Sequence, residues 1–498
     1  MNYVAFDPPG SKSYADATSP HNTSARQTPA FAARVRSAAD AVSAVRQARA
    51  SGLRVVPQAT GHGAGGTVGP DTVLVDTSGL DDVVIDPDRR VATVGAGATW
   101  GRVNAAAGHH GLVGLSGSAA SVSVAGYTFG GGVGWLTRSH GLASASLISV
   151  EFVDGSGRLR TAADDAPDPT DRDAIWLFRG GGGVGIATTL TFSLYPIHDL
   201  WAGYLLWPID RLADVLASWR RTLPEFGASV ATSLSVLHAP PGPPFPESLQ
   251  GQPVVHLAVA SPAGPAEATA LLGSLETVEP TVNTWGPADV ATLAQIHLDP
   301  PMAVPALGDA RWLGEQTLDV AEDALRLVAA PDSPLALLEL RNVSAPRSSV
   351  PGAQTSVPAP FLMHTVGLAT DDDSRAAVER ALTAVREALA PADIGHGAAS
   401  LAEGRSSAPD ALDPADRQRV VDITAALDPD GLFHRTRLHP RSTLLEESRC
   451  ATRSLTRSGS TWASLDATGN SRSRSWGRTR TAGPCSAGSP SCPPTRRT

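Results

Sequence analysis

Cysteine is nearly absent, and its placement matters as much as its scarcity. The three cysteines of this 498-residue chain, Cys450, Cys485 and Cys492, all lie beyond residue 440. The body of the protein therefore holds no disulfide, no cysteine-ligated metal and no cysteine nucleophile. Tyrosine is also rare: Tyr3, Tyr14, Tyr127, Tyr195 and Tyr204 are the only five, which excludes a tyrosine base from the C-terminal half. Lys12 is the single lysine. No apolar run approaches the ~18 residues needed to span a bilayer. The N-terminal stretch MNYVAFDPPG lacks the basic and then apolar pattern of a secretion signal. A soluble, cytoplasmic protein with no membrane partner is expected. The formal charge of −9 also argues against a nucleic-acid partner.

What is abundant is glycine (48) and proline (40), in a chain that is 42% hydrophobic and 18% charged. That is a globular composition, and the length suits two to four domains. The charge is uneven: residues from Arg441 onward carry 10 Arg and 3 acidic groups, net +7, leaving −16 for the rest. This tail of Ser, Thr, Arg, Gly and Pro has almost no apolar periodicity, so disorder is expected for 441–498.

Periodicity predicts a helix over 38–50 and strands at 53–57, 73–76, 83–86 and 91–95. A helix at 99–108 and a hairpin of 148–154 with 158–161 follow. Residues 189–195 alternate, with Leu190, Phe192 and Leu194 on one face. Beyond about 198 glycine thins out. Helices at 209–222 and 375–389 then mix with strands near 201–207, 230–237, 253–259, 335–343 and 361–369, and 412–433 carries a further helix. This texture predicts an antiparallel sheet with helices on one face.

Between Gly95 and Gly134 there are 12 glycines in 40 residues, a density suited to close backbone approach to a ligand. Gly180–Gly185 satisfies G-x-G-x-x-G, but the strand-like IATTLTFSLYP follows where a dinucleotide site needs a helix. In 335–343, alternation puts Leu335, Leu337, Glu339, Arg341 and Val343 on one strand face. Glu339 there is either a carboxylate under an apolar roof, with a raised pKa suited to a base, or half of an ion pair on a solvated sheet. His109, His110, His140 and His364 show no zinc-site spacing, and no metal is expected.

Four stretches in order, VVPQATGHGAGG (55–66), VGAGATWGRVNAAAGHHGL (94–112), SVSVAGYTFGGGVGWLTRSHGLASASL (121–147) and IWLFRGGGGVGIATTLTFSLYP (175–196), resemble the FAD-linked oxidases of the vanillyl-alcohol-oxidase/p-cresol-methylhydroxylase type. The resemblance is to their berberine-bridge-enzyme-like branch. It implies FAD contacts from Thr60, Gly61, His62, Gly63 and Ala64, from Gly117, Ser118, Ser121, Val122, Val124 and Gly126, and from Gly131, Ser144, Val150 and Ile186. His62 stands at the position that relatives join to the flavin 8α-methyl. Ser144 stands where many relatives carry a second, cysteinyl link, so a single covalent attachment is implied. Val124 stands at a gatekeeper position where a small residue admits O₂. The catalytic residues implied are Glu339 and Arg341. Ala398, Ser400 and Leu401 occupy the places of the family's C-terminal Tyr, Asn and Phe.

The fold expected is α+β: a PCMH-type FAD-binding domain of two subdomains plus an antiparallel-sheet substrate domain with helices on one face. The boundaries expected are an extension at 1–24, the FAD domain at 25–198, the substrate lid at 199–394 and a returning segment at 395–440. The function implied is an FAD-dependent oxidase. It would take a hydride from an alcohol, amine or activated C–H of a natural-product intermediate or sugar, and pass the electrons to O₂. A flavin dehydrogenase with another acceptor, and a flavin-binding scaffold or cyclase with little redox turnover, are the alternatives. Truncation after Pro440 is expected to leave solubility and bound flavin unchanged, as absorbance of the purified protein would show.

Overall fold

The computed structural model describes residues 3–434 except 228, 276, 406 and 407, together with residue 438. The tail 441–498 and its three cysteines lie outside the described residues.

The first half is built on two small sheets. Strands β1 (Phe31–Arg34), β2 (Arg54–Gln58) and β3 (Thr72–Asp76) are parallel, in the order β1-β3-β2. Helix α1 (Ala38–Ala50) joins β1 to β2. It begins where the Ser37 hydroxyl accepts from the Asp40 N–H, satisfying a donor the helix itself cannot pair. Its buried stripe, Ala41, Ala44, Val45 and Ala48, is small enough to lie close on Val55, Val73 and Val75.

The second sheet is antiparallel. It contains β4 (Val83–Asp86), β5 (Val91–Gly95), β6 (Leu147–Val153), β7 (Leu159–Ala163) and β8 (Ile186–Ser193), in the order β7-β6-β8-β5-β4. Helices α2 (Trp100–Gly108), α3 (Val124–Phe129) and α4 (Pro169–Phe178) share a core with it around Trp100, Phe152, Phe178 and Phe192. The Gly180–Gly185 run leaves α4 and enters β8 directly. A strand follows the run where a dinucleotide site has a helix, which excludes the dinucleotide fingerprint.

Past Pro196 the chain forms one large antiparallel sheet. Its main strands are β9 (Trp201–Pro208), β10 (Ala231–His238), β11 (Pro253–Ser261), β12 (Ala306–Leu313), β13 (Leu335–Asn342), β14 (Phe361–Leu368) and β15 (Asp393–Gly397). They lie in the order β9-β11-β10-β13-β14-β12-β15. Helices α5 (Leu212–Thr222), α6 (Thr317–Ala329) and α7 (Asp372–Leu389) cover one face, burying Trp207, Leu234, Val236, Leu257, Leu338, Leu340 and Met363. Strands β12 and β15 and helix α6 are absent from the sequence expectation. β12 reads ALGDARWL, with Gly, Asp and Arg interrupting the apolar pattern, although all but Arg311 of its residues are buried.

One expectation is corrected inside β13. A bulge between Leu335 and Leu337 shifts the register against β14. Leu335 therefore joins Leu338 and Leu340 in the helix-side core, while Glu339 and Arg341 occupy the other face.

The helix expected within 412–433 is α8 (Pro414–Leu427). Beyond it the buried Asp428 carboxylate accepts from the Leu432 and Phe433 N–H groups, both at 2.9 Å. The turn so held lays Leu432–His434 along β2, through Val55 N–H to Leu432 O and His434 N–H to Val55 O. Asp428→Ala removes the acceptor for two buried backbone donors and is expected to cost ~1–3 kcal/mol, measured by urea unfolding.

Candidate active site

Two glycine loops meet where the halves of the chain face each other. The loop after β2, Thr60–Gly66, turns sharply at Gly61 (φ +71°), a conformation that favours glycine. A Cβ there would lie 2.5 Å from that of Pro20. The second loop, Gly117–Gly126, comes up to it: His62 Nε2 lies 3.1 Å from Ser121 Oγ. The other ring nitrogen, Nδ1, lies 2.9 Å from Thr60 Oγ1.

The residues expected at the cofactor fall into two groups. Thr60, Gly61, His62, Gly63, Ala64, Ser118, Ser121, Val122 and Gly126 line one rim and are exposed or half-buried. Gly117 is buried under the Tyr127 ring. Val124, Val150 and Ile186 have no exposed surface, their side chains being part of the packed cores. Val124 opens α3 instead of lying in an extended loop. Ser144 is also fully buried, and its hydroxyl donates to the Gln354 carbonyl at 2.5 Å, with Gly131 beside the Gln354 side chain.

Above the rim, the free face of the lid sheet carries a buried ionic cluster. Antiparallel register sets Glu339 opposite His364 on β14 and Ser235 on β10. The Glu339 carboxylate accepts from Arg341 Nη2 (2.8 and 3.0 Å), Ser233 Oγ (2.6 Å) and His364 Nδ1 (3.0 Å), and His297 Nε2 lies 3.2 Å away. His364 Nε2 reaches Glu403 Oε2 at 3.1 Å. His297 Nδ1 contacts Asp299 Oδ1 at 2.7 Å, and His297 together with the nearby Ser118 hydroxyl of the lower half holds the Asp299 carboxyl below its usual value against the effect of burial. The chain of contacts thus runs from the lid sheet to the rim of the lower half.

Glu339 and Arg341 do form an ion pair, but with 0% and 2% exposure it is not on a solvated face. The raised pKa expected for Glu339 is also corrected. Burial pushes its carboxyl up, yet Arg341, His297 and His364 together hold it well below the usual value. Burial likewise works against charge on the two histidines. It is overcome by Asp299 and Glu339 at His297, held up to about 9, and by Glu403 and Glu339 at His364, held up to about 10.

Several members of this site carry no pattern in the sequence. His297 and Asp299 lie in an irregular segment after a short helix, and Trp135 and Tyr127 are hidden among glycines. Trp135 lies under the Arg341 guanidinium, 5.1 Å from it. Tyr127 OH, Trp135 Nε1 and Gln354 Oε1 are buried without a hydrogen-bond partner. Such groups are costly to leave unpaired. Unpaired phenol and indole donors beside two glycine loops suit a flat heteroaromatic ring with carbonyl and ring-nitrogen acceptors, so the residues present fit FAD. Among the described residues no group of three or more His, Cys, Asp or Glu could hold a metal ion.

The pH dependence of the cluster has a definite sign. Both histidines have pKa values raised above 6.5, so their stabilisation is complete below pH 6.5 and is lost as pH climbs toward 9–10. Glu339, depressed, contributes fully above 4.5 and loses its contribution in stronger acid. The urea midpoint is expected to fall on the alkaline side, and His364→Asn to flatten that limb.

Residues 29–163 match a family model described as an FAD binding domain. The FAD-linked oxidoreductase penH of Penicillium thymicola is 35% identical over 34% of this chain and 32% of its own length. This chain spans about a third of the length of the first curated relatives it matches. Over the whole fold, 6-hydroxy-D-nicotine oxidase of Arthrobacter nicotinovorans superposes with a TM-score of 0.76 at 20% identity, covering 89% of this chain and 99% of that one. A berberine-bridge-enzyme-like protein of Physcomitrella patens gives 0.74 at 17%, covering 88% and 97%. Residues 29–163 therefore form an FAD-binding domain, and the chain as a whole shares the fold of these proteins.

Proposed function

We propose that this protein is an FAD-dependent oxidase of a small alcohol, amine or activated C–H substrate, carrying its flavin through His62. The observation that carries this reading is the position of His62. It lies half-buried at the junction of the two glycine loops, with a buried acid–base cluster in the lid facing the same region. The domain boundaries proposed for it are 25–198 for FAD, 199–394 for the lid and 395–440 for the returning segment.

Thr60–Ala64 and Gly117–Gly126 would hold the cofactor through backbone that glycine leaves accessible. When bound, FAD supplies the two-electron acceptor that no side chain provides. The protein's own part is to bind, orient and move a proton. His62 is uncharged near neutrality, because burial and the adjacent His21 lower its pKa to about 4 against the opposing pull of Asp299. An uncharged imidazole is the form able to attack carbon. Ser144 offers no thiolate and spends its hydroxyl on Gln354, which supports a single link.

Glu339 is assigned as the proton acceptor and Arg341 as the group that fixes it. Because Arg341 and the histidines stabilise the carboxylate, Glu339 holds a proton only in passing. His364 bridges Glu339 to Glu403, which is 22% exposed, and so gives that proton a hydrogen-bonded way out. Likeness to a nicotine oxidase supports a nitrogen-bearing or hydroxylated small molecule as the substrate class, with O₂ as the final acceptor.

Acid precipitation of the purified protein tests the reading directly. Yellow colour is expected to stay with the wild-type pellet and to leave with the supernatant in His62→Ala. A panel of amines and alcohols should then contain compounds that bleach the flavin without air and yield H₂O₂ with it. A protein purified without any flavin would refute the proposal.

A further inference from the structure

The N-terminal segment takes no part in the chemistry above, yet it grips the residue on which flavin attachment depends. His21 N–H donates to Thr60 O at 3.0 Å and Asn22 N–H to Gly61 O at 3.2 Å, so the segment is bonded to the backbone on the N-terminal side of His62. On its other side it is bonded to the lid: Thr23 N–H to Val304 O, Val304 N–H to His21 O, and the buried Asn22 amide to Ala306 O, each at 3.0 Å. This two-sided hold fixes the place of the His21 ring. It lies flat against that of His62, with centroids 3.7 Å apart and planes 10° from parallel.

His62 is thereby held on three sides. Thr60 and Ser121 take its two nitrogens edge-on, and His21 covers a face. A side chain so restrained has little rotamer entropy left to lose when it reacts. The charged groups around it come from two elements: His21 from the N-terminal segment, which opposes protonation of His62, and Asp299 from the lid, which favours it.

We propose that His21 is a positioning residue for attachment of flavin to His62, holding that imidazole in one orientation. The inference rests on the reading of His62 as the attachment point. In the attachment step a C–N bond forms between a His62 ring nitrogen and the flavin 8α carbon. One C–H bond of the methyl group and one N–H of the imidazole are given up. Their two protons and the C–H electron pair end on the isoalloxazine, which leaves the step reduced, and O₂ takes them away as H₂O₂. A protonated His62 has no lone pair for that bond, so the rate follows its uncharged fraction.

Full-length protein made in flavin-starved cells is incubated with FAD between pH 3.5 and 8.5, quenched with acid, and the flavin retained in the pellet is measured. Quenching of flavin fluorescence on uptake reports, for each variant, that the fold still takes up FAD. Wild type is expected to attach flavin at a rate nearly constant from neutral to mildly acid pH. His21→Glu places a carboxylate where a second imidazole stood, so the pH of half-maximal rate should rise by about one unit or more. Below the new midpoint the rate should then fall about tenfold per unit. His21→Phe keeps a flat ring and should keep the wild-type profile. His21→Ala, which bares the ring face, should slow attachment several-fold at every pH. Equal rates and equal pH profiles in wild type, His21→Glu and His21→Ala would overturn the role of His21. Wild type that takes up FAD but releases all of it in acid at every pH would overturn the His62 attachment itself, and with it this inference.

Discussion

A carboxylate with no solvent contact must be neutralised where it stands, and the lid sheet is organised around meeting that demand at Glu339. Burying one charge costs several kcal/mol unless it is paired and hydrogen-bonded. The sheet supplies Arg341 two residues along the same strand, His364 across one neighbour and Ser233 from the other. Each new charge then needs its own partner, and so Glu403 and Asp299 are drawn in at the ends. The register of three strands and the seating of the lid on the lower half are thus tied to one buried group. A hydrophobic replacement of the pair would not carry a proton, as the proposed function requires of Glu339.

Below the lid the constraint is of another kind. At Gly61 and Gly117, in the loops bearing His62 and Ser121, glycine is required because other atoms come too close for a side chain. The chain at Pro20 crowds Gly61, and the Tyr127 ring crowds Gly117. The two loops are consequently shaped by steric exclusion, whereas the lid is shaped by charge. His62 stands where the two kinds of constraint meet, close to both His21 and Asp299.

Much of the first half is legible in the sequence, since its strands and α1 follow simple periodicity and its loops are marked by glycine density. Glu339 and Arg341 were also visible, as charges in an alternating apolar strand. Three things were not. The bulge that moves Leu335 to the other face leaves no mark in an all-apolar neighbourhood. Strand β12 is interrupted by Gly308, Asp309 and Arg311, whose partners Asp393, Asp410 and Arg386 come from distant elements. His297 and Asp299 sit in a segment without period, where only the folded chain brings them beside Glu339. The direction of the Glu339 pKa is not legible for the same reason: burial is readable from pattern, but the identity of the neighbours is not.

The strip Leu432–His434 lies along β2, the outer strand of the first sheet to be synthesised. An open strand edge is a site for unwanted pairing, and here its cover arrives some 375 residues after the strand itself. During translation the nascent N-terminal half must therefore leave the ribosome with that edge bare, and it is covered only once residues 432–434 have been made. Completion of the cofactor-binding half is in this way postponed until the lid exists, so that a cleft poised to hold a reactive redox group is not finished before the part that shields it.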